Sequence, residues 1–272
     1  MKRFALYLLL FAFSSTLHAN DKLQQILKTE LQREFTELQK NELVPYYLSY
    51  RVDDIKICYA SASFGILNRA YTTQRRIFIP EVRIGNYDLD NTHEIRDSYG
   101  SSTVNNESSN STYLSIDDEE LAIRQRIWSA TNGALKTAEN RYEKVKANIA
   151  VKIEEEDKSV DFSKITPEKY YEKPSNFKVD QKEWERKTCE YSSIFSENKD
   201  VISASTNFSY QQIRKYFVSS EGAEIVHNLN YALISIYAVV KANNGMELPL
   251  QKSYFAFTPD KLPSNEIIKQ DI

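Results

Sequence analysis

The sequence is poor in the residue types that many functional sites require. The 272-residue chain contains only two cysteines, three histidines and six glycines. Two cysteines cannot build a disulfide scaffold or a four-thiolate zinc site, and three histidines leave little material for a histidine-based metal centre. None of the glycines falls in a GxGxxG or GxxxxGKS/T pattern, which argues against a glycine-rich phosphate loop. A formal net charge of −3 gives no electrostatic reason to expect nucleic-acid binding.

The first 19 residues have the features of a secretory signal peptide. Lys2 and Arg3 precede the uncharged run Phe4–Phe13, and the run is followed by small residues up to Ala19. The apolar run is about ten residues long, whereas a membrane-spanning helix needs about 20. We therefore expect cleavage after Ala19, no stable membrane span afterwards, and a periplasmic or secreted protein. In such a compartment Cys58 and Cys189 could form a disulfide or remain buried thiols, and the spacing leaves both possibilities open.

Hydrophobic periodicity predicts an α+β fold with mainly antiparallel sheet packed with three longer helices. The helices are predicted at about 21–41, 117–150 and 180–198. Strands are predicted at 46–51, 55–64, 71–84, 201–210, 212–219, 223–237 and 254–258, with Asp53-Asp54 as a turn. This order of elements differs from a βαβ alternation. We expect one domain over residues 20–263, a mobile Ser/Asn-rich loop at about 98–112, a linker over 151–174 and a loose tail over 264–272.

Two clusters of polar residues invite a metal interpretation, and both lack the required spacing. His93-Glu94 is followed by Ile95-Arg96-Asp97, so the second histidine of an HExxH zinc helix is absent. Asp88, Asp90, Glu94 and Asp97 could bind a hard cation, but the loop lacks the glycine and glutamate positions of an EF-hand. A solvated polar loop explains both clusters, and no metal ligand is assigned.

The remaining candidates for chemistry are equally unspecific. No GxSxG pattern occurs, and nothing local favours a pair of Cys58 or Cys189 with His93 or His227. Several tyrosines on predicted strands could form an aromatic binding face, although aromatic residues on strands are ordinarily core or cross-strand pairs. These residues are Tyr46, Tyr47, Tyr50, Tyr59 and Tyr71. No catalytic or cofactor-binding residue is therefore assigned.

Five short segments follow one another in order over about residues 21–263: PYYLSY (45–50), SASFG (61–65), VRIGNYDLDNTH (82–93), RKYFVSSEG (214–222) and NNGM (243–246). Together, in this order and spacing, they resemble the N-terminal region of exported TldD/PmbA-type metallopeptidases. Positions in these segments that could belong to a family motif or interface are Tyr46, Tyr47, Asp90, Asn91, His93, Glu221 and Gly222.

The resemblance implies a role without catalysis. In that family the metal site lies in a C-terminal domain, on an HExxxH helix with a later cysteine, and this sequence contains no HExxxH. The N-terminal domain is expected to help form the dimer and to enclose the peptide-binding cavity. By resemblance, the partners would be a C-terminal catalytic chain or a second copy, with a peptide as a possible ligand.

Three functions remain to be weighed. The chain could be the non-catalytic half of a split or truncated peptidase, a stand-alone exported binding or scaffold module, or an enzyme with an unrecognised site. The lack of an assembled catalytic group disfavours the third. A neighbouring reading frame that encodes HExxxH would favour the first over the second.

Overall fold

The computed structural model describes residues 21–95, 111–151 and 159–272. The predicted signal peptide, Arg96 and Asp97, and residues 98–110 of the predicted loop lie outside these ranges. In the described part of the chain, no helix is both long enough and apolar enough to cross a membrane.

The described residues form four helices and seven strands. The helices are α1 (Lys22–Leu38), α2 (Glu120–Val151), α3 (Gln181–Ser193) and α4 (Asn265–Gln270). The strands are β1 (Pro45–Ser63), β2 (Ile66–Ile84), β3 (Thr112–Leu114), β4 (Lys169–Tyr171), β5 (Val201–Ser219), β6 (Glu224–Lys241) and β7 (Glu247–Ala256). Three of the four helices are long, so the predicted α+β class with three longer helices is confirmed.

The strands form one sheet built from two long hairpins. The order is β3-β2-β1-β5-β6-β4, and β7 pairs with the remaining length of β6. All pairings are antiparallel except the short one between β4 and β6. The β1–β2 hairpin turns at Phe64 and Gly65, and the β5–β6 hairpin turns through Gly222, where φ is +101°. A positive φ suits glycine because it has no Cβ to clash with the backbone.

The predicted turn at Asp53-Asp54 is wrong, because β1 runs straight through both residues. Their side chains point to opposite faces and each meets a cation on a neighbouring strand. Asp54 Oδ2 accepts a hydrogen bond of 2.8 Å from Arg76 Nε, and Asp53 Oδ1 lies 4.0 Å from Lys215 Nζ. Paired with arginine and lysine across the sheet, two adjacent aspartates fit a strand. Likewise β5 is continuous where two strands were predicted.

The tail also differs from the prediction, because residues 264–272 include a helix rather than a loose segment. Ser264 caps α4 by accepting from the backbone N–H of Ile267. Ile268 is fully buried among Tyr191 and other residues of the core under α3. Ile268 therefore docks the helix while its neighbour Ile267 is 51% exposed, and one buried position in a polar stretch gave little signal in the sequence.

All four helices lie on one face of the sheet. Two buried clusters form the core, one under α1 and α2 and the other under α3 and α4, and every strand residue in either cluster is even-numbered from Leu48 to Ala238. Side chains alternate between faces along a strand. The odd-numbered positions therefore form a second face that no described helix covers, which we call the helix-free face.

Both cysteines are free thiols in the structure. Cys58 lies buried on β1 and Cys189 is partly exposed on α3. Burial raises the pKa of each thiol, so both are protonated and weakly nucleophilic at neutral pH. The nucleophile pair that the sequence left open gains no support from these environments.

Candidate functional site

The residues selected by resemblance converge at one end of the sheet. Tyr46 and Tyr47 begin β1, and the loop after β2 carries Asp90, Asn91 and His93. The turn between β5 and β6 brings Glu221 and Gly222 to the same end, because β1 pairs antiparallel with both β2 and β5. We call this group the sheet-end cluster.

A tight loop after β2 positions the central residues of the cluster. Gly85 bridges to Asp90, and Asn86 turns the chain by accepting from the backbone N–H groups of Asp88 and Leu89 at 2.8 and 3.0 Å. Asn91 then fastens the loop to β2, since its Oδ1 accepts from Ile84 N at 2.7 Å and its N–H donates to Ile84 O at 3.1 Å. The role of Asn91 is therefore to hold the loop.

Asp90 is the most deeply buried charge of the cluster, with none of its surface exposed. Its Oδ2 accepts from Tyr46 Oη at 2.7 Å and from Arg83 Nη1 at 3.2 Å. Its Oδ1 accepts from both the N–H and the hydroxyl of Thr92 at 2.6 Å. Burial, followed by the bond to Asp90, raises the pKa of Tyr46, so this phenol stays a donor. Four donors on one carboxylate make Asp90 an anchor.

His93 is held by an aspartate far away in sequence. Its Nδ1 lies 2.6 Å from Asp161 Oδ1, and the two side chains are only 15% and 11% exposed. The other oxygen of Asp161 accepts from Asp90 N at 2.8 Å. Arg141 of α2 donates to His93 O at 3.2 Å, which ties the long helix to the same loop.

An aromatic group surrounds the guanidinium of Arg83. Arg83 Cζ lies 3.9 Å from the ring centre of Phe162 and 5.8 Å from that of Tyr47. Phe162 also contacts Tyr47 and Tyr87, with ring centres 5.4 and 5.9 Å apart. Glu81 forms an ion pair with the same guanidinium, with Glu81 Oε1 2.7 Å from Arg83 Nη2. The result is a cation covered by aromatic faces, an arrangement that is favourable when water is excluded.

Glu221 and Gly222 join the cluster through Tyr87 and Pro167. The Tyr87 hydroxyl donates to Glu221 Oε1, and this bond raises the pKa of Tyr87 to about 12. A Cβ at Gly222 would lie 3.8 Å from Pro167 Cγ, so the turn packs beside the segment that carries Phe162.

The contacts of the cluster are hydrogen bonds, ion pairs and ring contacts among residues of the chain itself. Within residues 21–95, 111–151 and 159–272, no three His, Cys, Asp or Glu side chains are grouped as a metal site would require. Asp90, one of the four acidic residues of the cation hypothesis, already binds the side chains of Tyr46, Arg83 and Thr92. Its oxygens therefore serve protein donors.

Sequence reasoning missed Asp161, Phe162 and Arg141. The first two lie in the segment taken as a linker, and Asp161 meets His93 across 68 residues of chain. No local pattern signals such a contact. Arg83 and Tyr87 lie inside the segment 82–93, but the resemblance did not single them out as candidate site residues.

Comparison with known proteins places the fold. No family model matches the chain, and no curated protein matches it. A candidate modulator of DNA gyrase from Bacteroides thetaiotaomicron is similar, with a TM-score of 0.52 and 7% identity over 93% of this chain and 49% of that one. A candidate gyrase modulator from Thermotoga maritima has a TM-score of 0.47 and 12% identity, over 89% of this chain and 46% of that one. TldE from Thermococcus kodakarensis has a TM-score of 0.47 and 12% identity, over 92% of this chain and 46% of that one.

The matches cover most of this chain but only part of each solved structure. The chain spans about half the length of the solved structures it matches. All three belong to the TldE/TldD-PmbA group, and the Bacteroides thetaiotaomicron match, at 7% identity, supports similarity of fold alone. The fold of this chain is therefore related to that of TldE/TldD-PmbA proteins.

Proposed function

We propose that this chain is an exported, non-catalytic domain of a TldD/PmbA-type peptidase assembly, where it forms the interface and helps to enclose the peptide. The observation that carries the proposal is the helix-free face. A sheet that packs four helices on one side and leaves apolar residues on the other is suited to pack against a second protein.

The helix-free face carries an apolar row among its polar positions. Antiparallel sheets that face water usually alternate apolar and polar positions along each strand. Here one row across the sheet contains Ile55, Ile213 and Leu229, which lie opposite one another in register. Leu229 is 43% exposed, and Phe255 at the edge of the same face is 61% exposed. This side of the sheet therefore offers both area and apolar contacts to a partner.

A row of polar and charged side chains crosses the same face and would orient the partner. Asp53, Lys215 and His227 lie side by side on β1, β5 and β6. Charges arranged in this way contribute to specificity and registration more than to raw affinity. The face therefore combines an apolar row with charged side chains that would fix the orientation of the partner.

We propose a separate chain that carries the HExxxH helix as the partner. The similar Bacteroides thetaiotaomicron structure is about twice as long as the matched region, and this sequence contains no HExxxH. In the TldD/PmbA family the HExxxH helix carries the metal site, so the separate chain would supply the metal ligands and the water-activating group. This chain would contribute the wall of the cavity.

The purified chain should hydrolyse no peptide, with or without added zinc, because it has no HExxxH. The test is to incubate the chain alone with a fluorogenic peptide library, once with and once without a chelator. The control is an unrelated protein without peptidase activity that has been purified in the same way. Adding the HExxxH chain should produce cleavage. Chelator-sensitive cleavage by the purified chain alone would overturn the proposal.

The alternative is a stand-alone exported binding or scaffold module. It is favoured by the sheet-end cluster, which contacts Asp161 and Phe162 of the same chain without help from another chain. A genome with no HExxxH-encoding frame beside this gene, together with a stable monomer in sedimentation, would select this alternative.

A further inference from the structure

A segment of this chain lies in the sheet-end cluster as a ligand would. We call residues 159–171 the strap. It crosses the end of the sheet at Asp161 and Phe162, passes Gly222 at Pro167, and ends as β4 beside β6. The side chains and the backbone N–H groups of Asp161 and Phe162 contact the cluster.

The first element of recognition is the backbone of the strap. Phe162 N donates to Tyr87 O at 3.0 Å, and Asp161 N donates to Asp88 O at 3.4 Å. These two main-chain bonds hold the strap against the loop after β2, and in peptide recognition main-chain bonds of this kind give affinity while side-chain pockets give specificity.

The second element captures a carboxylate through both of its oxygens. Asp161 Oδ1 lies 2.6 Å from His93 Nδ1, and Oδ2 accepts from Asp90 N at 2.8 Å. An ionised carboxylate only accepts hydrogen bonds, so it fits a pair of convergent donors. A glutamate has one more methylene and would push its carboxylate past these donors.

The third element is a slot for an aromatic ring. Phe162 stacks on the Arg83 guanidinium at 3.9 Å and contacts the rings of Tyr47 and Tyr87. Arg83 is fixed in turn by Glu81 and Asp90. A flat, electron-rich face is what a partly buried guanidinium prefers, so an aliphatic side chain would bind less well.

We propose that Tyr47, Arg83, Tyr87, Asp90 and His93 form a binding site for a peptide with an aspartate followed by an aromatic residue. In this structure the strap occupies the site from within the same chain. The inference goes beyond the proposed assembly role and holds whether or not the helix-free face binds a partner.

A tethered ligand competes strongly with a free one. A segment of the same chain has an effective concentration in the millimolar range, so a peptide in solution must bind well to displace it. Removing the strap side chains should therefore uncover the site. For the same reason, the strap limits the access of other peptides to the site.

The test uses the double variant D161A/F162A and a labelled peptide with the sequence of residues 160–167, followed by fluorescence anisotropy. The peptide should bind the double variant at least about tenfold more tightly than the unaltered chain, since the strap no longer competes. Peptides with the aspartate changed to asparagine or the phenylalanine changed to leucine should each bind about tenfold more weakly or worse. The matched control is the double variant S163A/I165A, which alters two exposed residues of the strap and should bind like the unaltered chain.

Two results would overturn the proposal. One is a folded double variant that does not bind the peptide, and the other is equal binding to the double variant and the unaltered chain. If the double variant does not fold, the unaltered chain decides the question by limited proteolysis. Excess peptide should then raise the cleavage rate within residues 159–167 at least about threefold as the strap is displaced, and an unchanged rate would refute the site.

Discussion

Replacing Asp90 by alanine should lower the free energy of unfolding by about 3–5 kcal/mol. Asp90 is completely buried, and its carboxylate accepts from Tyr46, Arg83 and Thr92. Removing it leaves four hydrogen-bond donors without their acceptor and the partly buried guanidinium of Arg83 with one carboxylate fewer. Urea denaturation followed by circular dichroism measures the change.

Asp88→Ala is the matched control for this experiment. It removes an exposed carboxylate of the same loop, two residues earlier, and should change stability by no more than about 0.5 kcal/mol. Asp90→Asn keeps the shape and should fall between the two. Equal stabilities for the variants at positions 88 and 90 would show that the buried carboxylate does not anchor the cluster.

Replacing Gly85 by alanine should cost about 2–4 kcal/mol. Its φ is +111°, and an added Cβ would lie 2.4 Å from Leu89 O and 2.9 Å from Tyr142 Cε2. The backbone of the loop would have to move, and with it the bridge that holds Asp90 beside Gly85. Thermal and chemical denaturation both report the loss.

Gly245→Ala separates backbone strain from steric contact. Gly245 also has a positive φ, +86°, but an added Cβ would meet nothing within 4 Å. It should therefore cost about 1 kcal/mol, from conformation alone. If both glycine variants were equally stable, the close approach at Gly85 would not contribute.

The elements of the fold were largely predictable, because their signals are local. The heptad-like spacing of Leu23, Ile26, Leu27 and Leu31 identifies α1, and all four residues are buried on the sheet. Strand continuity was harder to predict. Asp53-Asp54 reads as a turn in isolation, and only the cations on neighbouring strands reveal it as part of β1.

The sheet-end cluster was predictable in its members but not in its contacts. Tyr46, Asp90 and His93 were selected by resemblance, and antiparallel pairing brings them together. Asp161 and Phe162 could not be found in the same way, since a polar segment with prolines looks like any surface linker. Contacts between residues about 70 positions apart depend on the completed sheet.

Site-specific photocrosslinking from position 213 tests the central claim most directly. A benzoylphenylalanine placed at Ile213 on the helix-free face, in the native host, should produce an adduct with a protein that carries HExxxH, identified by mass spectrometry. The control is the same group at Leu250, which is 73% exposed on the opposite side of β7 and should give no such adduct. An adduct with HExxxH protein at 250 and none at 213, or a second copy of this chain as the sole adduct at 213, would contradict the account.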